Sequence, residues 1–146
     1  MNYKKWLIED LQNLERQKFA ITQLQEELET VKAEYAAIKA TNYDKMPKGS
    51  GENIQEEKLL TAIAKKDELE ANLKFTRMKV ADMERLLAQL PDDERLIIQR
   101  TVINKEKYAA DSLADELCYE RTQIWRLKNK ALCHLTQLRH GASYQT

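Results

Sequence analysis

The sequence predicts an all-α protein: a long N-terminal antiparallel helical hairpin, coiled-coil in character, followed by a C-terminal helix-turn-helix domain. Two observations carry that expectation. Only three Gly and two Pro interrupt 146 residues of which 33% are charged, and a balance rich in Glu, Lys, Leu and Ala marks long helices. Apolar residues also recur at helical spacings along two extended stretches.

From Tyr3 to Ala40 there is no Gly or Pro, and Leu7, Leu11, Leu14, Ile21, Leu24, Leu28, Val31, Tyr35 and Ile38 recur at three, four or seven. This predicts one amphipathic helix with a heptad slip near Ile21 to Leu24. Pro47, Gly49 and Gly51 break it, so 41–51 reads as a loop centred on Met46 to Gly51. A second helix is expected from Glu52 to Gln89, with Leu59, Ile63, Leu69, Leu73, Val80, Met83, Leu87 and Leu90 on one face. Two helices of similar length joined by a short loop fold back most simply as a hairpin, each arm roughly 50 Å long.

Such a hairpin buries little apolar surface by itself. Its stripe (Leu7, Leu11, Leu14, Ile21, Leu24, Leu28, Leu59, Ile63, Leu73 and Val80) is therefore expected to seek a second copy or the C-terminal domain, with a homodimer as the expected state. The domain plan is 1–89 for the hairpin, 90–140 for the helix-turn-helix domain and 141–146 for a flexible tail.

Leu90-Pro91-Asp92-Asp93-Glu94 marks a fresh start: Pro suits a helix N-terminus and acids suit its positive dipole end. Leu96, Ile97, Ile98, Val102 and Ile103 make a short apolar helix ending near Asn104. Ser112 to Asp115 reads as a capping box opening the first helix of the motif. Cys118, Tyr119 and Glu120 form the turn, and Arg121 to about Leu138 the second helix.

Leu113, Leu117, Ile124 and Leu127 fall where two steeply crossing helices bury side chains between them, and the small Ala114 lets the backbones approach. That arrangement leaves Arg121, Thr122, Trp125, Arg126 and Asn129 on the outward stripe of the second helix. A helix fits the major groove, where Arg and Asn read base edges. The expected DNA-binding set is Ser112, Arg121, Thr122, Gln123, Trp125, Arg126, Asn129 and Lys130, with Lys128 and Lys130 diverging from the stripe toward phosphates.

Charge supports the same end of the chain. Net charge is zero overall, yet beyond Tyr119 five basic residues (Arg121, Arg126, Lys128, Lys130, Arg139) stand against one acid, Glu120. The two cysteines, Cys118 and Cys133, are too few for a disulfide scaffold and are expected as small buried or half-buried residues of a reducing compartment. Glu9 and Asp10 stop the apolar run at Trp6 to Ile8, so neither a signal peptide nor a membrane span is expected. His134 and His140 lack partners at metal-site spacing, and Gly49-Ser50-Gly51 lacks the spacing of a phosphate loop. No enzyme, metal or cofactor is expected.

Leu90 to Arg100, followed by Leu113 to Leu135, resembles region 4 of bacterial sigma factors of the sigma-70 type, in which a helix-turn-helix grips promoter DNA. The run Ile124-Trp-Arg-Leu-Lys-Asn-Lys-Ala-Leu-Cys-His-Leu135 carries most of the likeness. With the helical part in front, the chain is similar to phage-encoded late transcription regulators of the ArpU and RinA type, whose relatives share a loop like Met46 to Gly51. The resemblance implies a regulator of phage or prophage late genes, for packaging and morphogenesis, acting in the bacterial cytoplasm on double-stranded DNA and with host RNA polymerase. Two departures stand out. Cys118 occupies a position where many such motifs carry Gly, which predicts a turn outside the glycine conformation, and Trp125 takes an outward position more often polar. No segment resembles the sigma region that melts promoter DNA. Two other readings stand beside the regulator: a small terminase-like packaging protein, and a structural coiled-coil adaptor.

Overall fold

A computed structural model describes residues 2–44 and 51–141. Five α-helices follow in order: α1 (Tyr3–Asp44), α2 (Gly51–Ala88), α3 (Asp92–Ile98), α4 (Ala109–Leu117) and α5 (Arg121–His140), with a π-helical segment, Gln99–Ile103, continuing α3. No strand occurs among the described residues, and none of their helices is long and apolar enough to cross a membrane.

α1 opens on Asn2, whose side chain accepts a hydrogen bond from the Lys5 amide at 3.0 Å, an N-cap. It runs through Asp44, four residues into the segment expected to be loop, although Thr41, Asn42 and Asp44 are weak helix formers; no Gly or Pro precedes Pro47. The rest of the expected loop at 45–50, and the expected tail at 142–146, lie outside the described residues.

The chain divides into two compact units, 18–78 and the pair of segments 1–17 with 79–146. This corrects the expected boundary at residue 90. The first four turns of α1 and the end of α2 belong with the C-terminal domain.

In the unit 18–78, Leu28 and Val31 of α1 share a buried cluster with Leu69 and Leu73 of α2, and Ile21 and Leu24 pack against it. Lys39 and Lys66 both lie over the ring of Tyr35, at 6.0 and 5.8 Å, so the polar edge of this pair also crosses from one helix to the other.

The other unit is built on a larger core. Leu7, Leu11 and Leu14 of α1 are fully buried there, as are Ile97 and Ile98 of α3, Leu113 of α4, and Ile124 and Leu135 of α5. Val80, Met83, Leu87 and Leu90 contribute from the end of α2. The start of α1 lies against the end of α5: the Tyr3 and His140 rings are 4.6 Å apart, and Asp10 pairs with Arg139. Pro91 is the N-cap of α3, and Asp92, Asp93 and Glu94 fill its first turn, where the helix dipole favours acids. Arg95 donates to the carbonyls of Leu87 (3.2 Å), which also accepts from the Leu90 amide, and of Leu90 (2.9 Å), tying α3 to the end of α2. Past Ile98 the hydrogen bonds lengthen by one residue, with the Asn104 amide donating to the Gln99 carbonyl at 2.9 Å.

These burials correct the assignment of the oligomerisation stripe. Leu7, Leu11, Leu14, Leu28, Leu73 and Val80 are closed within one chain, and Ile21, Leu24, Leu59 and Ile63 are half-buried. A second copy could reach the six buried side chains only by opening the fold. Of the two partners expected for the stripe, a second copy or the C-terminal domain, Leu7, Leu11, Leu14 and Val80 have the second, since they belong to the unit that holds α3 to α5.

Substituting a fully buried leucine tests this core. Leu11→Ala and Leu113→Ala should each destabilise the protein by about 2–5 kcal/mol, the range for a cavity in a packed interior. Phe19→Ala, at an exposed position, should stay within about 0.5 kcal/mol. Urea denaturation followed by circular dichroism measures both.

Candidate nucleic-acid interface

α4 and α5 are held by one apolar cluster. Leu113 and Ile124 are buried against Ile97 of α3, and Leu96, Ala110, Ala114, Leu117, Tyr119 and Leu127 pack around them. The four residues expected between the helices, with Ala114, therefore come together as the spacing implied. Leu113 and Ile124 form the centre, while Leu117 and Leu127 are half-buried at the rim.

The turn between the helices is tight. Cys118 adopts the left-handed conformation (φ 57°, ψ 39°), and the Tyr119 amide donates to the Ala114 carbonyl at 3.0 Å. This is the arrangement with which glycine commonly ends a helix, so the expected non-glycine geometry is corrected. A bond across the left-handed residue needs that geometry whatever the side chain, at about 1–2 kcal/mol for an L-residue. Cys118 is also exposed, against the expected burial, while Cys133 is half-buried. Tyr119 locks the turn: its hydroxyl donates to the Asp93 carboxylate of α3 at 3.1 Å. That hydrogen bond, together with the charge of Asp93, raises the Tyr119 pKa above the ordinary tyrosine value.

A second clamp holds α4. Arg100, in the π-helical segment, donates to Glu106 at 2.8 Å and to Glu116 of α4 at 2.6 Å. The hydrogen bonds, to Glu106 first and then Glu116, raise its pKa, so the guanidinium stays charged across the whole working pH range. α4 begins at Ala109 behind a left-handed Tyr108 (φ 60°), and its first turn carries no side-chain cap. The expected capping box at Ser112 is thus corrected: Ser112 lies inside α4, half-buried, its amide donating to the Tyr108 carbonyl at 3.1 Å. The helix extends back over Ala109 and Ala110, which favour it.

Along α5, Arg121, Thr122, Gln123, Trp125, Arg126, Asn129 and Lys130 are all exposed. They do not form one stripe. At about 100° per residue, Thr122, Arg126 and Asn129 share a line, Trp125 and Lys130 flank it on opposite sides, and Arg121 and Gln123 stand about 100° from Thr122 in opposite directions. Three of the basic residues counted toward a positive patch face acids. Arg121 lies 3.5 Å from Asp111 of α4, Lys130 lies 3.8 Å from the buried Glu94 of α3, and Arg139 pairs with Asp10. Lys130 keeps 74% of its side chain exposed beside Glu94, as Arg121 keeps 66% beside Asp111.

Lys128 sits over the Trp125 ring at 4.7 Å, and burial, followed by repulsion from Lys4, pushes its pKa down. Trp125 is 45% exposed. Arg126 has no ion-pair partner among the described residues, which makes it the basic side chain of α5 most available to an external anion. No sequence spacing pointed to Asp93, Glu94 or Asp111 as partners of α4, α5 or the turn, because each pair joins residues brought together only by packing. Among the described residues, no group of three or more His, Cys, Asp or Glu side chains is placed to hold a metal ion. Comparison with protein-family models, with curated proteins and with solved structures finds no match.

Two measurements test the turn. Cys118→Gly should raise stability by about 1 kcal/mol, since glycine takes a left-handed conformation without the Cβ penalty. Tyr119 holds its proton more firmly in the folded state than in the unfolded chain. Its contribution is therefore fully present below pH 10 and is lost as pH rises through the raised folded value. Thermal unfolding of Tyr119→Phe should show a shallower fall above pH 10 than the parent protein does; identical profiles would remove the hydroxyl from the account.

Proposed function

We propose that the chain is a sequence-specific DNA-binding transcription regulator, with the outward stripe of α5 as the reading surface. The observation that carries this reading is the α4–turn–α5 geometry. The short α4 and the longer α5 are clamped by Leu113, Ile124 and Ile97 across a tight left-handed turn, and Thr122, Arg126 and Asn129 stand exposed along one line. Arg126 and Asn129 are the candidates for base contact, to guanine and adenine edges respectively. Thr122 is one turn nearer the helix start, suited to a thymine methyl or a phosphate. Trp125, with Lys128 on its face, suits the sugar and phosphate flank.

The likeness to sigma region 4 and to phage late regulators of the ArpU and RinA type extends the proposal. The regulator activates phage or prophage late genes in a bacterial cell by binding promoter DNA and contacting host RNA polymerase. The two long helices are read as an antiparallel hairpin that supplies the second contact.

Charge sets how strongly one copy binds. With Arg121, Lys130 and Arg139 facing acids, few cations remain for phosphates, and affinity from counterion release is small. Specific regulators reach about 10⁻⁸ to 10⁻¹¹ M, which from this surface requires a second half-site or a protein partner.

Fluorescence anisotropy with its own late-operon promoter tests the assignment. Arg121→Ala combined with Arg126→Ala should weaken binding by about ten- to a hundredfold, and Lys130→Ala should change it less than about threefold. Unchanged binding by the double variant would show that α5 does not read this DNA.

A further inference from the structure

Two cations from different helices meet beside Trp125. Lys128 lies three residues past Trp125, about 60° further round α5 from the line of Thr122, Arg126 and Asn129. Its ammonium stands over the indole, 4.7 Å from the ring centroid. The second cation comes from α1. Contacts of Tyr3 with His140 and of Asp10 with Arg139 hold the start of α1 on α5, within one compact unit. Lys4, in the first turn of α1, is close enough to repel the Lys128 ammonium, which burial already disfavours.

No acid offsets the two charges. Both lysines are half-buried, and neither forms an ion pair among the described residues. The first turn of α1 holds no acid, and Glu9 further along it is exposed. Half-buried like charges without a carboxylate cost free energy, and an anion placed between them recovers it. A phosphate supplies the charge and the acceptor oxygens for both ammonium groups. Position narrows the kind of phosphate. A helix is about 10–12 Å across and the major groove about 12 Å wide, so a helix lying in the groove meets the sugar–phosphate backbone along its flanks.

We propose that Lys4 and Lys128 together bind one backbone phosphate on the Trp125 flank of α5, so that the start of α1 takes part in holding DNA. This rests on the DNA-binding reading of α5. It adds a contact from the opposite end of the chain that carries charge and no base preference.

Fluorescence anisotropy on the full chain, at several salt concentrations, tests the proposal with the promoter duplex and a random duplex of equal length. Lys4→Ala should weaken binding to both by a similar factor, about three- to tenfold at low salt, and lower the salt slope by about one. Lys4→Arg keeps the charge and should hold affinity within about twofold and leave the slope unchanged. Arg126→Ala should instead weaken the promoter more than the random duplex. Lys4→Ala removes a repulsion and should melt no lower than the parent protein; where it does melt lower, Lys128→Ala, read the same way, carries the test. A parent protein that prefers the promoter while Lys4→Ala leaves both slopes unchanged overturns this site and leaves the reading of α5 standing. Equal binding to both duplexes with the slope lost in Lys4→Ala supports the site and removes the sequence reading. A parent protein that binds neither duplex overturns both.

Discussion

The contact of Leu113 with Ile124 over Ile97 is the constraint on which the rest of the functional surface depends. It fixes how α5 leaves the turn, and so which of its side chains face outward. The contact is small, and three polar attachments around it hold the geometry. Tyr119 ties the turn to Asp93, Arg100 ties α4 to the π-helical segment and the following loop, and Arg95 ties α3 to the end of α2. The core gives the two helices their crossing, and these bonds suppress rotation about it.

The same attachments shape the electrostatics. A count of charges along α5 implies a basic patch, but Asp111, Glu94 and Asp10 stand beside Arg121, Lys130 and Arg139. The exposed pairs add little stability, as surface ion pairs do. Lys130 with Glu94 differs, because Glu94 is buried and an uncompensated carboxylate there would be destabilising. What remains for a nucleic acid is a narrow line through Thr122, Arg126 and Asn129, bordered by Trp125 and Lys128. On the proposed DNA-binding reading, a surface of this kind would discriminate by hydrogen-bond geometry more than by bulk charge and would need a second contact to bind tightly.

Much of this was legible before the fold was known. Period-3.6 spacing identified both long helices, and the positions of Leu113, Leu117, Ile124 and Leu127 located the motif's core, because helical periodicity records which side of a helix is buried. It does not record what covers that side. Leu7, Leu11 and Leu14 repeat as a coiled-coil seam would, yet they lie in the core of the unit that holds α3 to α5. The left-handed Cys118 was missed for another reason: propensity assigns that conformation to glycine, while the clamp of Tyr119 on Asp93 and the Tyr119 to Ala114 bond hold a cysteine in it.

The central claim is that one rigid unit presents a line of α5 side chains that reads base sequence. Selection from a pool of random duplexes with the purified full chain, sequenced after successive rounds, tests it most directly. The account predicts enrichment of a short motif with defined base preferences at the positions facing Arg126 and Asn129. A pool that stays random through every round would contradict it.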